Sequence, residues 1–328
     1  MKNAALLVAS VLASLVMVDV ALRLFDFYPF EQPHALHKNE PRLHDADPAL
    51  GWRLRPGRHV WRQPAPGLSD RTFTITTDRS RATGTDGPGD RLSAQRAVAV
   101  IGGSWMFGFG LSDEQTFAWK LQDRLPVRRV LNLAVTGYGA CQSWLALRRR
   151  IDAGTDDIGV VLYGLIHAHG LRNVADYSWW KSMYFVNAHR NPGALSFPYV
   201  TLTDGYTLSA AAVRFPVWRL VEDFAQRLAH DRRDMAQAAT MRLLRDTDAR
   251  CRERNIRFVV LYLDHGERTL KPYARYFDAH AIEYVDLRLP PETYADWRLS
   301  FDKYGHLGEA AQTYWADGVM KVAIFTAP

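Results

Sequence analysis

With 328 residues, 48% of them hydrophobic and 23% charged, the chain has the composition of a folded globular protein. It is long enough for one large α/β domain with a small appended region. The net charge of +6 is dispersed in short clusters, such as residues 148–150 (RRR), with no long Lys/Arg run and no nucleic-acid motif, so neither DNA nor RNA is expected as a partner.

Residues 1–25 read MKNAALLVASVLASLVMVDVALRLF. Lys2 precedes an apolar stretch interrupted by Asp19 and Arg23. A basic start and an apolar run are the pattern of an export signal, and the length suits a helix that crosses a bilayer. No clean Ala-x-Ala site follows, so an uncleaved signal anchor is expected. Lys2 would stay in the cytoplasm and the rest of the chain would lie on the periplasmic side of the inner membrane. The alternatives are secretion after signal cleavage and a buried amphipathic helix.

Residues 26–95 are rich in Pro, His, Arg and Gly. They are expected to form a loop-and-hairpin arm packed on the main domain, with a turn-rich lead-in at 47–57 (DPALGWRLRPG) and a short strand at 72–77 (TFTITT). From residue 96 to 328 apolar runs alternate with helical stretches. The runs at 97–103, 129–135, 158–166, 257–264 and 282–287 predict strands buried on both faces. Helices are predicted from a Ser-x-x-Gln capping box at Ser112 to about Leu125, and over 142–151, 235–255 and 307–323, with Tyr314 and Trp315 facing inward on the last. The alternation predicts an α/β fold, a doubly wound sheet between helical layers. Residues 176–224 carry many aromatics and read as an insertion near the top of the sheet, a lid, a substrate wall or a packing excursion. Cys141 and Cys251 fit neither a zinc site nor a redox pair. Two independent thiols are expected, although an exported location would permit a disulfide.

In open α/β sheets active groups gather just past the carboxyl ends of the strands. Ser104 follows the first strand on a glycine-rich turn, Gly102-Gly103-Ser104-Trp105, which can expose both its hydroxyl and its N–H. Gly137 follows the second strand within Thr136-Gly137-Tyr138-Gly139 and can bring an N–H close to a ligand. Before the last helix come Asp302 and His306, four positions apart. A serine hydroxyl becomes a competent nucleophile when an imidazole takes its proton and a carboxylate holds that imidazole. Asp264 and His265, at the end of the fourth strand, compete for the same roles. A metal pair at His167 and His169 lacks any further ligand at a familiar spacing and is not expected.

The stretches IGGSWMFGFGLSDEQTF, NLAVTGYG and DKYGH resemble, in order, the first, second and last blocks of the SGNH, or GDSL-type, hydrolases, especially an exported branch associated with polysaccharides. The resemblance spans about residues 97–323. It implies a three-layer α/β/α, flavodoxin-like fold with a parallel five-stranded sheet. It also implies Ser104 as nucleophile with Asp302 and His306 completing the triad, an oxyanion hole built from the N–H groups of Ser104 and Gly137, and no cofactor. The implied chemistry is hydrolysis or transfer of an acyl ester, for example the acetyl esters of a carbohydrate or exopolysaccharide. Three departures stand out. Gly103 replaces the usual Asp before the nucleophile, the Asp-to-His spacing is one residue longer, and the third block has no Asn to donate to the oxyanion. His167, His169 and Asn173 are the candidates for that donor. The missing Asn and the aromatic insertion also suit a catalytically weak or inactive carbohydrate-binding or assembly protein on the same fold. A nucleotide-binding Rossmann domain is disfavoured, because the glycines from Gly102 to Gly110 do not match Gly-x-Gly-x-x-Gly.

Overall fold

The computed structural model describes residues 2–24, 39–62, 69–84, 95–176, 179, 196–201, 207–212, 233–264, 267–299, 305–322 and 324–325. Helix α1 (Lys2–Leu24) contains a span, Asn3–Ala21, of mean hydropathy 2.3. Among the described residues it is the one helix long and apolar enough to cross a membrane. Its side chains Leu6, Leu7, Leu12, Val16 and Met17 are exposed rather than packed into a core.

The arm consists of short antiparallel strands. Strands β1 (Asn39–Glu40), β4 (Gly57–Trp61) and β5 (Arg71–Ile75) form one sheet, while β2 (His44–Asp47) and β3 (Gly51–Leu54) form a separate hairpin. The Asp47 carboxylate makes the turn of that hairpin by accepting from the N–H groups of Ala49 and Leu50, both at 3.0 Å. Past β5, Arg81 bridges both Ile75 and Asn132, which joins the arm to the edge of the central sheet.

That central sheet contains β6 (Gln95–Gly102), β7 (Arg128–Asn132), β8 (Ile158–Leu165), β11 (Arg257–Tyr262) and β12 (Glu283–Asp286), all parallel, in the order β12-β11-β8-β6-β7. This is the flavodoxin-like doubly wound order, whose switch point lies between the first and third strands, here β6 and β8. Alternate residues serve opposite faces. Val98 and Val100 join a core with Leu121 and Trp315, whereas Ala97, Ala99 and Ile101 join another with Leu147, Leu243 and Phe277. A strand dry on both sides needs apolar residues at every position, which explains the unbroken runs.

Beyond α1, the helices among the described residues are α2 (Ser104–Phe107), α3 (Phe117–Arg124), α4 (Ala140–Ala153), α5 (Ala168–Asn173), α6 (Arg233–Glu253), α7 (Glu267–Ala279), α8 (Pro291–Trp297) and α9 (Glu309–Met320). The Ser112 box does form, with Gln115 Oε1 accepting from the Ser112 N–H at 3.1 Å, but it opens only a 3-10 turn over Asp113–Gln115. The α-helix starts afresh behind Thr116, whose Oγ1 accepts from the Trp119 N–H. Trp315 is buried as expected and Tyr314 only partly so. Helices α7 and α8 were not legible in the sequence, and α7 carries Pro272 within it. Of the expected insertion, the structure describes Trp179 and a hairpin of β9 (Ser196–Thr201) with β10 (Thr207–Ala212). Cys141 and Cys251 are free and buried, and burial pushes both thiols up to about 12, which leaves them protonated and inert at neutral pH.

Candidate active site

Strand β6 ends at Gly102, whose φ of 142° suits glycine, and the chain turns through Gly103 into α2 with Ser104 as its first residue. The absence of a side chain at Gly103 has a direct steric cause. A Cβ there would lie 2.7 Å from both Arg172 Nη1 and His169 Nε2, and 3.0 Å from the Tyr138 carbonyl. Arg172 and His169 thus fill the space beside Ser104 that a side chain at 103 would need.

Ser104 and His306, 202 residues apart in the chain, meet with His306 Nε2 2.8 Å from Ser104 Oγ. Three contacts bring the imidazole there. Gly305 takes a φ of 77°, and a Cβ on it would meet the Tyr294 hydroxyl at 2.9 Å. The His306 carbonyl accepts from the Leu299 N–H at 2.9 Å, beside a bridge between Arg298 and Leu307. The imidazole also packs on Phe109 with centroids 4.2 Å apart. The helix that follows is keyed to the serine turn by Gln312, whose Oε1 accepts from the Phe117 N–H at 2.9 Å and whose Nε2 donates to the Trp105 carbonyl at 3.2 Å. Trp105 stacks on Trp315 behind it.

Asp302 and His265 lie outside the described residues. The Asp264 carboxylate accepts from the His167 N–H at 2.7 Å, so it ties the end of β11 to the entry of α5. The His167 side chain is exposed at that helix entry.

The candidates for the oxyanion donors separate clearly. Ser104 and Gly137, the latter at a φ of 83°, have backbone N–H groups with no acceptor among the described residues. Asn173 is committed elsewhere: its Oδ1 accepts from the Cys141 N–H at 3.1 Å and its Nδ2 donates to Thr240 Oγ1 at 2.8 Å. His169 is 1% exposed, with Nδ1 2.6 Å from the Tyr163 hydroxyl and Nε2 without a partner among the described residues. Burial, reinforced by the Arg172 charge, holds the His169 pKa well below its ordinary value, and burial raises that of Tyr163. Both are therefore neutral. Nε2 lies beside the serine turn, 2.7 Å from where a Cβ on Gly103 would stand, and the tautomer in which the phenol donates to Nδ1 is the one that carries a proton on Nε2.

Two arginines that the sequence did not single out frame the site. Arg172 Nη1 donates to the Tyr138 carbonyl at 2.8 Å, and burial lowers its pKa to about 10, so it remains a cation. Arg81, wholly buried, closes the carboxyl end of α2. Its guanidinium donates to the carbonyls of Phe107, Gly108 and Leu111 at 2.8, 2.7 and 2.6 Å, and to the Asp113 carboxylate at 2.9 Å. It lies against the rings of both Phe73 and Phe107, 4.9 and 4.8 Å from their centroids. Among the described residues, no group of three or more His, Cys, Asp or Glu side chains could hold a metal ion.

No protein-family model matches the chain, and neither does any curated protein. Solved structures similar to it include several esterases. A catalytic mutant of an acetylxylan esterase from Geobacillus stearothermophilus shares 12% identity over 72% of this chain and 97% of its own, with a TM-score of 0.41. A psychrotrophic esterase from Pseudoalteromonas, inhibited by monoethylphosphonate, shares 11% over 69% and 96%, with a TM-score of 0.39. An SGNH-hydrolase family esterase, AlinE4, shares 13% over 58% and 76%, with a TM-score of 0.34.

Proposed function

We propose that this chain is an SGNH-type serine ester hydrolase or O-acyltransferase acting on acyl esters, such as acetyl esters, of a carbohydrate or exopolysaccharide. One observation carries the reading: the 2.8 Å contact between His306 Nε2 and Ser104 Oγ at the carboxyl end of a parallel sheet. In the first half-reaction His306 takes the Ser104 proton while Oγ attacks the acyl carbon. The carbonyl oxygen becomes an oxyanion that the N–H groups of Ser104, Gly137 and His169 Nε2 are suited to receive. His306 then returns the proton to the departing sugar oxygen, leaving an acyl-serine. In the second half-reaction it activates water, for hydrolysis, or another hydroxyl, for transfer. Asp302 is assigned the carboxylate that orients His306. Helix α1 is assigned as an inner-membrane anchor with the catalytic domain in the periplasm, the alternative being a secreted form.

The test is Ser104→Ala in the full chain, assayed on an acetyl ester. Turnover should fall by about four orders of magnitude or more. Unchanged turnover rejects the mechanism. Absence of fluorophosphonate labelling at Ser104 in folded wild-type protein would favour the non-catalytic carbohydrate-binding alternative.

A further inference from the structure

The N–H that Gly137 offers belongs to the peptide joining it to Thr136. In a trans peptide the carbonyl and the N–H point in opposite directions. Whatever holds the Thr136 carbonyl therefore decides where the Gly137 N–H aims. The holder is Trp52, whose indole Nε1 donates to the Thr136 carbonyl at 3.0 Å. Trp52 lies on β3, in the arm, 84 residues away and outside the α/β sheet.

We propose that Trp52 is a positioning residue for the oxyanion hole, fixing the 136–137 peptide so that the Gly137 N–H is presented to the acyl oxygen. This rests on the ester-hydrolase reading of the Ser104–His306 pair. The arm hairpin is fastened to the same loop at several points. His44 Nε2 is 2.9 Å from Thr136 Oγ1, and the Tyr138 hydroxyl donates to the Trp52 carbonyl. Next along the chain, Gln142 Nε2 donates to the Leu50 carbonyl at 2.7 Å, and Arg149 pairs with Asp47 at 2.8 Å. The two carbonyls after Thr136 are also held. Gly137 O accepts from Trp179 Nε1 at 3.0 Å, and Tyr138 O from Arg172. The Tyr138 N–H is spent on the Val135 carbonyl at 3.1 Å. The buried Gly137 N–H has no acceptor among the described residues. A buried donor left unbonded while its neighbours are all engaged carries a cost, and a catalytic use accounts for it.

The experiment uses the full chain in detergent with p-nitrophenyl acetate, and counts active sites by fluorophosphonate labelling of Ser104. Trp52→Phe keeps an aromatic ring and removes the N–H. The expected result is a kcat per labelled site lower by about 10- to 100-fold, with KM within about twofold and the shape of the pH–rate profile unmoved. A purely structural Trp52 would reduce the amount of folded protein and leave kcat per labelled site within about threefold of wild type, which overturns the inference. If Trp52→Phe does not accumulate, His44→Ala carries the test, since it frees the Thr136 hydroxyl. A kcat fall of about 3- to 10-fold at constant KM supports the inference and an unchanged kcat overturns it. A wild-type protein that neither labels nor turns over overturns the hydrolase reading and this inference together. Wild-type turnover with unaffected variants overturns this inference alone.

Discussion

The parallel sheet and the arm support one site by different physical means. The sheet places Ser104, Gly137 and His169 through aliphatic packing: Val98, Val100, Val161 and Val260 are fully buried, and their contribution is non-directional. The arm adds Leu43, Leu50, Leu54 and Ile75 to the core that holds Val98 and Val100, but its hold on the loops around the site is directional. Arg81, Trp52 and His44 instead reach across to polar atoms, most of them backbone carbonyls, on the loops that carry the chemistry. Packing fixes where a strand ends, whereas hydrogen bonds fix which way a peptide plane faces. Damage to the sheet is therefore expected to lower stability alone, and damage to the arm to lower catalysis as well.

The largest effect should come from Arg81→Met. It strands the Asp113 carboxylate and three carbonyls, and removing one member of a buried ion pair costs about 3–5 kcal/mol. Denaturant unfolding should show that loss, and kcat per labelled site should fall with it because the end of α2 is released. If only stability falls, the comparison fails on the arm side. Next, His169→Phe keeps an aromatic ring and deletes the Nε2 atom proposed as an oxyanion donor. Loss of one such donor costs about 2.7–4 kcal/mol in the transition state, read as kcat at constant KM.

The same histidine gives a smaller, pH-dependent effect. Its folded pKa is depressed by burial and by Arg172, so it stays neutral in the native state while the unfolded chain binds a proton below about pH 6.5. The unfolded state holds more protons in that range, so stability falls as pH drops below the unfolded value, by at most about 1.4 kcal/mol per unit. Melting temperatures between pH 7.5 and 5.5 should decline less steeply in His169→Phe than in wild type. The smallest effect is assigned to Ile158→Val, at the start of β8 and far from the serine turn. About 0.5–1.5 kcal/mol of stability should be lost with kcat per labelled site intact. A fall in kcat there would erase the distinction between the two regions.

The central strands were readable because burial on both faces leaves no polar position to break the run, as in residues 158–165. The meeting of Ser104 with His306 was readable because each sits where a strand or helix end faces the site. Helix α7 was not, since Pro272 inside it argues against a helix on local grounds, yet tertiary packing of Tyr273 and Phe277 carries it. The arm's role was hidden for another reason. Nothing in the local pattern around Trp52 or Arg81 tells which carbonyl, 84 or 26–30 residues away, each will hold. Likewise, the engagement of Asn173 with Cys141 and Thr240 and the unpartnered Nε2 of His169 follow from tertiary neighbours that the local sequence does not name.

Arg81 also has a consequence for how the molecule comes apart. A guanidinium with no exposed surface can leave its place only if the Phe107–Asp113 segment opens and Phe73 withdraws at the same time. Release of the arm and loss of the serine turn are then one cooperative event. Amide protons on β5 and at the end of α2 should exchange through a common opening, and the protein should have no populated form in which Ser104 is in place while the arm is undocked.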